Sequence, residues 1–213
     1  MARRTKQDAL ATRDSILDAA EVLFSLQGVS RTTLQHIASA AGVTRGAIYW
    51  HFDDKAALFN AMMERVTMPL ETAMQALDPD NLIDPIGDLR AWMLTVFRIT
   101  ATDPKTCRVF EIATHKIEYV QELAGVRERH LASHAKWMAR ATSGLSIAMA
   151  RGLLKPDLNP YVVALEMWAI TDGVIRIWLL DPQSFDLLQV GQQMVDAHFK
   201  ALAPNSVGQC RSQ

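Results

Sequence analysis

Apolar side chains recur every three or four positions along almost the whole chain, and no segment sustains the period-two alternation of a half-buried strand. That spacing predicts an all-α protein. Ile16, Leu17, Ala20, Leu23 and Phe24 form one stripe on a first helix over about 10–27, which Gly28 stops. Thr32 and Thr33 offer caps for a short second helix ending at Gly42, with Gln35 in capping-box position after Thr32. Thr44 caps a third helix over about 45–51, and Asp53 a fourth that starts near Lys55 and runs to about 77. Pro79, Asn81, Asp84 and Pro85 make the first long break. Helices follow at about 86–102 and 104–114, the second opened by Asp103-Pro104 as N-cap and first helical residue. A long helical region over about 116–152 ends at Gly152, and two more, over about 160–180 and 184–202, follow turns marked by Pro156, Pro160 and Pro182.

The second and third helices, LQHIASAAGVTRGAIYWHF, are two short elements joined by a tight glycine turn, the pattern of a helix-turn-helix. Leu34, Ile37, Ala38 and Ala41 seat one helix, and Ile48 and Phe52, four apart, seat the other on the same small core. The inward face is then accounted for, so Arg45, Tyr49 and parts of Trp50 and His51 point away from it. In a DNA-binding motif of this kind the second helix enters the major groove with its first residues at base edges. Arg45 suits guanine or phosphate, and Tyr49 suits phosphate or a thymine methyl. Gly46 either lets the backbone approach DNA or is merely tolerated in a one-turn helix. Trp50 and His51 each admit a packing role beside a contact role.

Thr33 and Thr44 can donate hydroxyls to phosphate, although capping alone explains both. Lys55 stands in the first turn of a helix, where the macrodipole disfavours a cation, and a phosphate would remove that conflict. Asp53 and Asp54 next to it oppose a tight backbone grip.

Net charge is -1, so composition does not by itself announce nucleic acid; the basic Arg3, Arg4 and Lys6 precede the first helix. The 213 residues suffice for one large domain or a small one on a larger one. Cys107 and Cys210 suggest neither a disulfide framework nor a metal knuckle, and the basic N-terminus has no apolar run behind it, which points to a reducing cytoplasm. VVALEMWAITDGVIRIWLL, 162–180, has nearly the length of a membrane span. Its Glu166, Asp172 and Arg176 would each cost about 2.5 to 3.5 kcal/mol in a bilayer, so it reads as a helix buried inside protein.

In the second half, Met167, Trp168, Thr171, Asp172 and Ile175 share a face, Phe110 and Thr114 are four apart, and Trp92, Met93, Val96, Trp137 and Ala141 can complete a mixed apolar and polar lining. Such a set suits either a small-molecule site or plain core. Asp172 either pairs with Arg176, four residues on, or faces a cationic or hydroxylated ligand. Leu187, Leu188, Gly191, Met194, Val195, His198, Phe199 and Leu202 make a stripe on the last helix that covers either the interior or a second copy. Glu111, His115, His130 and His134 have helical spacings that a metal could use, without a convincing third ligand. A helical metal enzyme on these groups finds no HExxH, P-loop or nucleophile-base motif, so no catalytic residue, metal or cofactor is assigned.

The run TRDSILDAAEVLFSLQGVSRTTLQHIASAAGVTRGAIYWHFDDKAALF, 12–59, closely resembles the N-terminal domain of TetR-family transcriptional regulators, especially the AcrR-like branch that represses multidrug efflux pumps. Weaker similarity continues through EIATHKIE, 111–118, and DGVIRIWLLDPQSFDLL, 172–188. The resemblance implies DNA contacts by Thr33, Thr44, Arg45, Gly46, Tyr49, Trp50, His51 and Lys55. It implies a DNA-binding domain at 1–54, a ligand-binding and dimerisation domain at 55–204 and a polar tail at 205–213. It further implies a homodimer through the last two helices, a double-stranded, pseudo-palindromic operator and release by a small amphipathic or aromatic inducer. An activator or a ligand carrier on the same scaffold is the alternative.

Overall fold

The structure, a computed structural model, describes residues 6–75 and 83–204. Arg3, Arg4, Pro79, Asn81, Cys210 and the expected polar tail lie outside the described residues. Those described form nine α-helices and one 3-10 turn, with no strand: α1 Lys6–Gln27, α2 Leu34–Ala40, α3 Arg45–His51, α4 Lys55–Gln75, α5 Pro85–Thr102, α6 Pro104–His115, the turn Gln121–Leu123, α7 Ala124–Ala150, α8 Pro160–Leu180 and α9 Leu187–Leu202. No described helix is long and apolar enough to cross a membrane.

Several boundaries differ from expectation, each for a local reason. The expected helix over 116–152 is broken, and α7 begins only at Ala124. Lys116 closes α6 by donating its N–H to Ile112, while its own carbonyl accepts from the Val29 amide at 2.9 Å and is spent. The capping box of α2 uses Thr33 and His36 rather than Thr32 and Gln35. Thr32 is engaged elsewhere, donating its hydroxyl to the Gly28 carbonyl at 2.7 Å and accepting from the Gln27 amide at 3.1 Å. Asp54, not Asp53, caps α4, its carboxylate accepting from the Ala57 N–H at 2.7 Å. α9 starts at Leu187 instead of near 184, because Asp186 caps it through the Leu188 and Gln189 amides at 2.8 and 3.0 Å.

The chain folds into two compact units. The first holds the described residues up to Pro69 together with Thr102–His134, and the second holds Leu70–Ala101 and the described residues from Ala135. α4 crosses the boundary at Pro69, whose ring removes an intrahelical donor.

In the first unit Ile16, Leu17, Ala20 and Phe24 of α1 meet Ile37 of α2, Ile48 of α3 and Leu58 and Phe59 of α4, and Val109 and Ile112 of α6 complete the core. Phe24 and Phe59 pack with ring centres 6.0 Å apart. Gly28 ends α1 with φ at +82°, a left-handed turn that other residues adopt only under strain, and so aims Val29 at α6.

The second unit assembles α5, the later part of α7, α8 and α9 around Leu89, Met93, Phe97, Leu145, Met167 and Val195, all nearly or fully buried. Gly191 lets α9 approach α5 so closely that a Cβ there would lie 2.5 Å from the Phe97 ring.

Candidate functional site

The outward edge of α3 is the first candidate site. Ile48 is fully buried and Phe52 nearly so, which fixes the rotation of this seven-residue helix and leaves Arg45, Gly46, Tyr49 and Trp50 exposed, with His51 half-buried. Trp50 is 71 % exposed, and its ring meets the edge of His51, with centres 4.5 Å apart. The guanidinium of Arg45 donates to the Tyr49 hydroxyl at 2.9 Å and sits over its ring. Behind this edge the Arg13 guanidinium lies 5.3 Å from the centre of the Phe52 ring and holds α1 against the end of α3.

Thr33 and Thr44 cap α2 and α3 by accepting from the His36 amide at 3.1 Å and the Ala47 amide at 3.2 Å. Both are exposed, and capping uses only the acceptor side, so each hydroxyl proton remains available. A Cβ on Gly46 would meet only the Thr44 hydroxyl at 3.9 Å. Nothing inside the protein therefore demands glycine there.

Lys55 departs from its expected place. Its ammonium is buried, donates to the Thr32 carbonyl at 3.1 Å and the Ser30 carbonyl at 3.4 Å, and pairs with Glu122 at 3.1 Å. The conflict between a cation and a helix N-terminus is thus resolved by oxygens of the protein itself, and the lysine faces the α1–α2 loop rather than open solvent. Glu122 lies 67 residues further along the chain, so no local pattern could have announced it.

The second site was expected in the later helices. Trp92, Met93, Val96, Trp137, Ala141, Met167, Thr171 and Ile175 are all buried in the second unit. Trp168 is half-buried, and it, Trp137 and Trp92 form a chain of tilted rings with centres 5.4 and 4.9 Å apart. Thr171 turns its hydroxyl to the Met167 carbonyl at 2.9 Å. Phe110 and Thr114 belong to the first unit, where Phe110 packs on that unit's core. Asp172 takes the pairing alternative: its half-exposed carboxylate accepts from Arg176 at 2.8 Å, one helical turn away.

The stripe on α9 divides in two. Leu187, Gly191, Val195, Phe199 and Leu202 turn inward on their own unit, while Leu188 and Met194 are exposed. α8 adds an outward row of Tyr161, Leu165, Ala169, Gly173, Ile177 and Leu180, at three-four spacing and mostly exposed.

Among the described residues, no three or more His, Cys, Asp or Glu gather as a metal would require, and Glu111 pairs instead with Lys116 at 3.4 Å. Burial, then the Glu111 carboxylate, push the Cys107 thiol up, away from a reactive thiolate.

Comparison with known proteins decides what this pair of sites belongs to. Residues 16–62 match the family described as bacterial regulatory proteins, tetR family, and residues 84–204 match the C-terminal region of MAATS-type transcriptional repressors. The chain belongs to the TetR family. It is 40% identical to the HTH-type transcriptional regulator TtgR of Pseudomonas putida over 196 residues, covering 92% of this chain and 93% of that one. The HTH-type transcriptional regulator AcrR of Shigella flexneri is also 40% identical, over 92% of this chain and 91% of its own. Among solved structures, NalD, the secondary repressor of the MexAB-OprM multidrug efflux pump in Pseudomonas aeruginosa, superimposes with a TM-score of 0.86 at 34% identity, covering 94% of this chain and 100% of that one. A SmeT–triclosan complex superimposes with a TM-score of 0.79 at 32% identity, over 92% and 93% of the two chains. The TetR-family assignment agrees with the all-α architecture and with the helix-turn-helix at α2 and α3.

Proposed function

We propose that this TetR-family protein is a ligand-responsive repressor that binds a pseudo-palindromic operator as a cytoplasmic homodimer, controls a multidrug efflux operon and is released by a small amphipathic or aromatic compound. The observation that carries the DNA reading is the exposed edge of α3: Arg45, Tyr49 and Trp50 stand in solvent while Ile48 and Phe52 satisfy the interior without them. Residues 1–54 supply this reading head. Thr33 and Thr44 give hydroxyl protons to phosphate, Arg45 and Tyr49 meet base edges or phosphate, Trp50 and His51 flank them, and Gly46 admits the backbone. Lys55 acts from behind, holding the α1–α2 loop on the start of α4.

Residues 55–204 sense the ligand and form the dimer. The outward row on α8 with Leu188 and Met194 of α9 supports a symmetric interface, since an apolar face of this extent is otherwise left in water. Efflux control is supported by relatives such as NalD and SmeT, which repress multidrug pumps. Ligand favours a conformation whose paired heads no longer match the half-site spacing.

The test is selection of genomic fragments on the purified protein, followed by a gel-shift titration of the best fragment in increasing salt. A dimeric complex whose affinity falls steeply with salt is expected. Retention of fragments without a shared inverted repeat would overturn the reading.

A further inference from the structure

Among the described residues of the second unit four buried polar atoms lack a hydrogen-bond partner: Thr142 Oγ1, His198 Nε2 and the indole nitrogens of two neighbouring tryptophans. Trp92 of α5 is 8 % exposed and Trp137 of α7 is 1 % exposed, and neither indole N–H has an acceptor among the described residues. Their rings touch, with centres 4.9 Å apart, and Trp137 continues onto the half-buried Trp168 of α8. A buried donor without a partner is unfavourable, and phenylalanine would supply aromatic packing without it. Two such donors in one aromatic cluster therefore call for an explanation outside the apolar core.

The surroundings limit what that explanation is. Among the described residues of this unit the buried polar side chains are Thr100 and Thr171, and each hydroxyl donates to a carbonyl of its own helix, at 2.8 and 2.9 Å. No charged side chain of the second unit is buried among the described residues, and the half-exposed Asp172 is already paired with Arg176. An ionic guest would lose its water and gain no counter-ion. A neutral guest with an oxygen acceptor loses little and satisfies what the protein leaves open.

We propose that the Trp92–Trp137–Trp168 cluster is a receptor for a neutral aromatic molecule bearing a carbonyl-type oxygen, which accepts from the indole N–H of Trp92 or Trp137 while its ring stacks on the cluster. This rests on the reading of residues 55–204 as the ligand-sensing part and names the class of ligand. Cationic amphiphiles are outside that class.

The test uses 9-fluorenone and fluorene, planar molecules that differ in a carbonyl against a methylene, titrated calorimetrically into the full-length protein without DNA. Fluorenone is expected to bind roughly tenfold more tightly than fluorene, the range of a hydrogen bond to an otherwise unpaired buried donor. The double variant Trp92→Phe, Trp137→Phe is expected to bind the two probes within about threefold of each other. Because that variant can lose its fold, the wild-type protein labelled with indole nitrogen-15 provides a second measurement. Its Trp92 or Trp137 N–H resonance, identified by single phenylalanine replacements, is expected to move downfield with fluorenone and not with fluorene. Equal affinities, no binding of either probe, or unmoved Trp92 and Trp137 resonances would overturn the proposal. Operator release is measured separately: fluorenone that binds through the indoles yet leaves the operator complex intact upholds the receptor and defeats its role in induction.

Discussion

Arg45 and Tyr49 are joined one helical turn apart on the outer edge of α3, with the guanidinium donating to the phenol oxygen at 2.9 Å and stacked 5.4 Å from its ring centre. Each side chain thereby limits the freedom of the other before any DNA arrives, which lowers the entropy lost on binding. The pair is exposed, so its worth to folding is small.

Tyr49→Ala is therefore expected to weaken operator binding by about 1 to 3 kcal/mol, tenfold or more, with thermal unfolding changed by no more than about 0.5 kcal/mol. Tyr49→Phe keeps the ring under Arg45 and should fall between the two. A gel-shift titration alongside a melting curve checks both. Wild-type affinity in the alanine variant would remove Tyr49 from the interface.

Lys55 behaves oppositely. Its buried ammonium answers the Thr32 and Ser30 carbonyls, and Lys55→Met leaves those oxygens without a charged donor. The expected loss is about 1 to 3 kcal/mol of stability. Glu122 is largely exposed, so Glu122→Gln returns it to water and should lose less than about 1 kcal/mol. Urea titrations of both variants check the order, and an equal loss would show that the ion pair, rather than the two carbonyls, anchors the lysine.

Lys55 also marks the limit of what the sequence makes legible. The periodicity of apolar residues places the nine helices of the described residues, because burial of one stripe is a local property of each segment. The outward edge of α3 is legible for the same reason: once Ile48 and Phe52 are inside, a helix of seven residues has its rotation fixed. The break at Lys116 and the burial of Lys55 are not legible, since both depend on partners far along the chain, Val29 for one and Glu122 for the other. Helical spacing likewise puts Phe110 and Thr114 on one face, and the core that Phe110 packs on is that of the first unit. Spacing reports which residues share a face and is silent on which unit that face covers.

Two helical glycines separate packing from recognition. A Cβ at Gly191 would lie 2.5 Å from Phe97 Cδ2, and the Phe97 side chain is buried. Gly191→Ala gains helix propensity but overpacks this contact, for an expected net loss of about 1 to 2 kcal/mol. At Gly46 the Cβ meets nothing closer than 3.9 Å, so Gly46→Ala is expected to leave the protein as stable or up to about 1 kcal/mol more so. Its operator affinity should nevertheless fall, because the added methyl stands where the backbone approaches DNA. A Gly46→Ala protein with both stability and affinity intact would show that the glycine has no part in recognition.

His198 of α9 gives the stability a pH dependence of definite sign. Burial pushes its imidazole below the ordinary value of 6.5, and the Glu166 carboxylate opposes this only in part. The folded state therefore holds this proton less tightly than the unfolded chain. Above the unfolded value both states are neutral at this site and it contributes no slope. As pH falls through about 6.5 the unfolded chain takes up the proton first, so stability declines from there down to the lower folded value. Unfolding by urea at a fixed protein concentration, compared at several pH values between 5 and 8, should show that decline in the wild type and a flatter profile in His198→Gln. Should the glutamine variant retain the full wild-type slope, the acid sensitivity belongs to other groups and the buried imidazole is not its source.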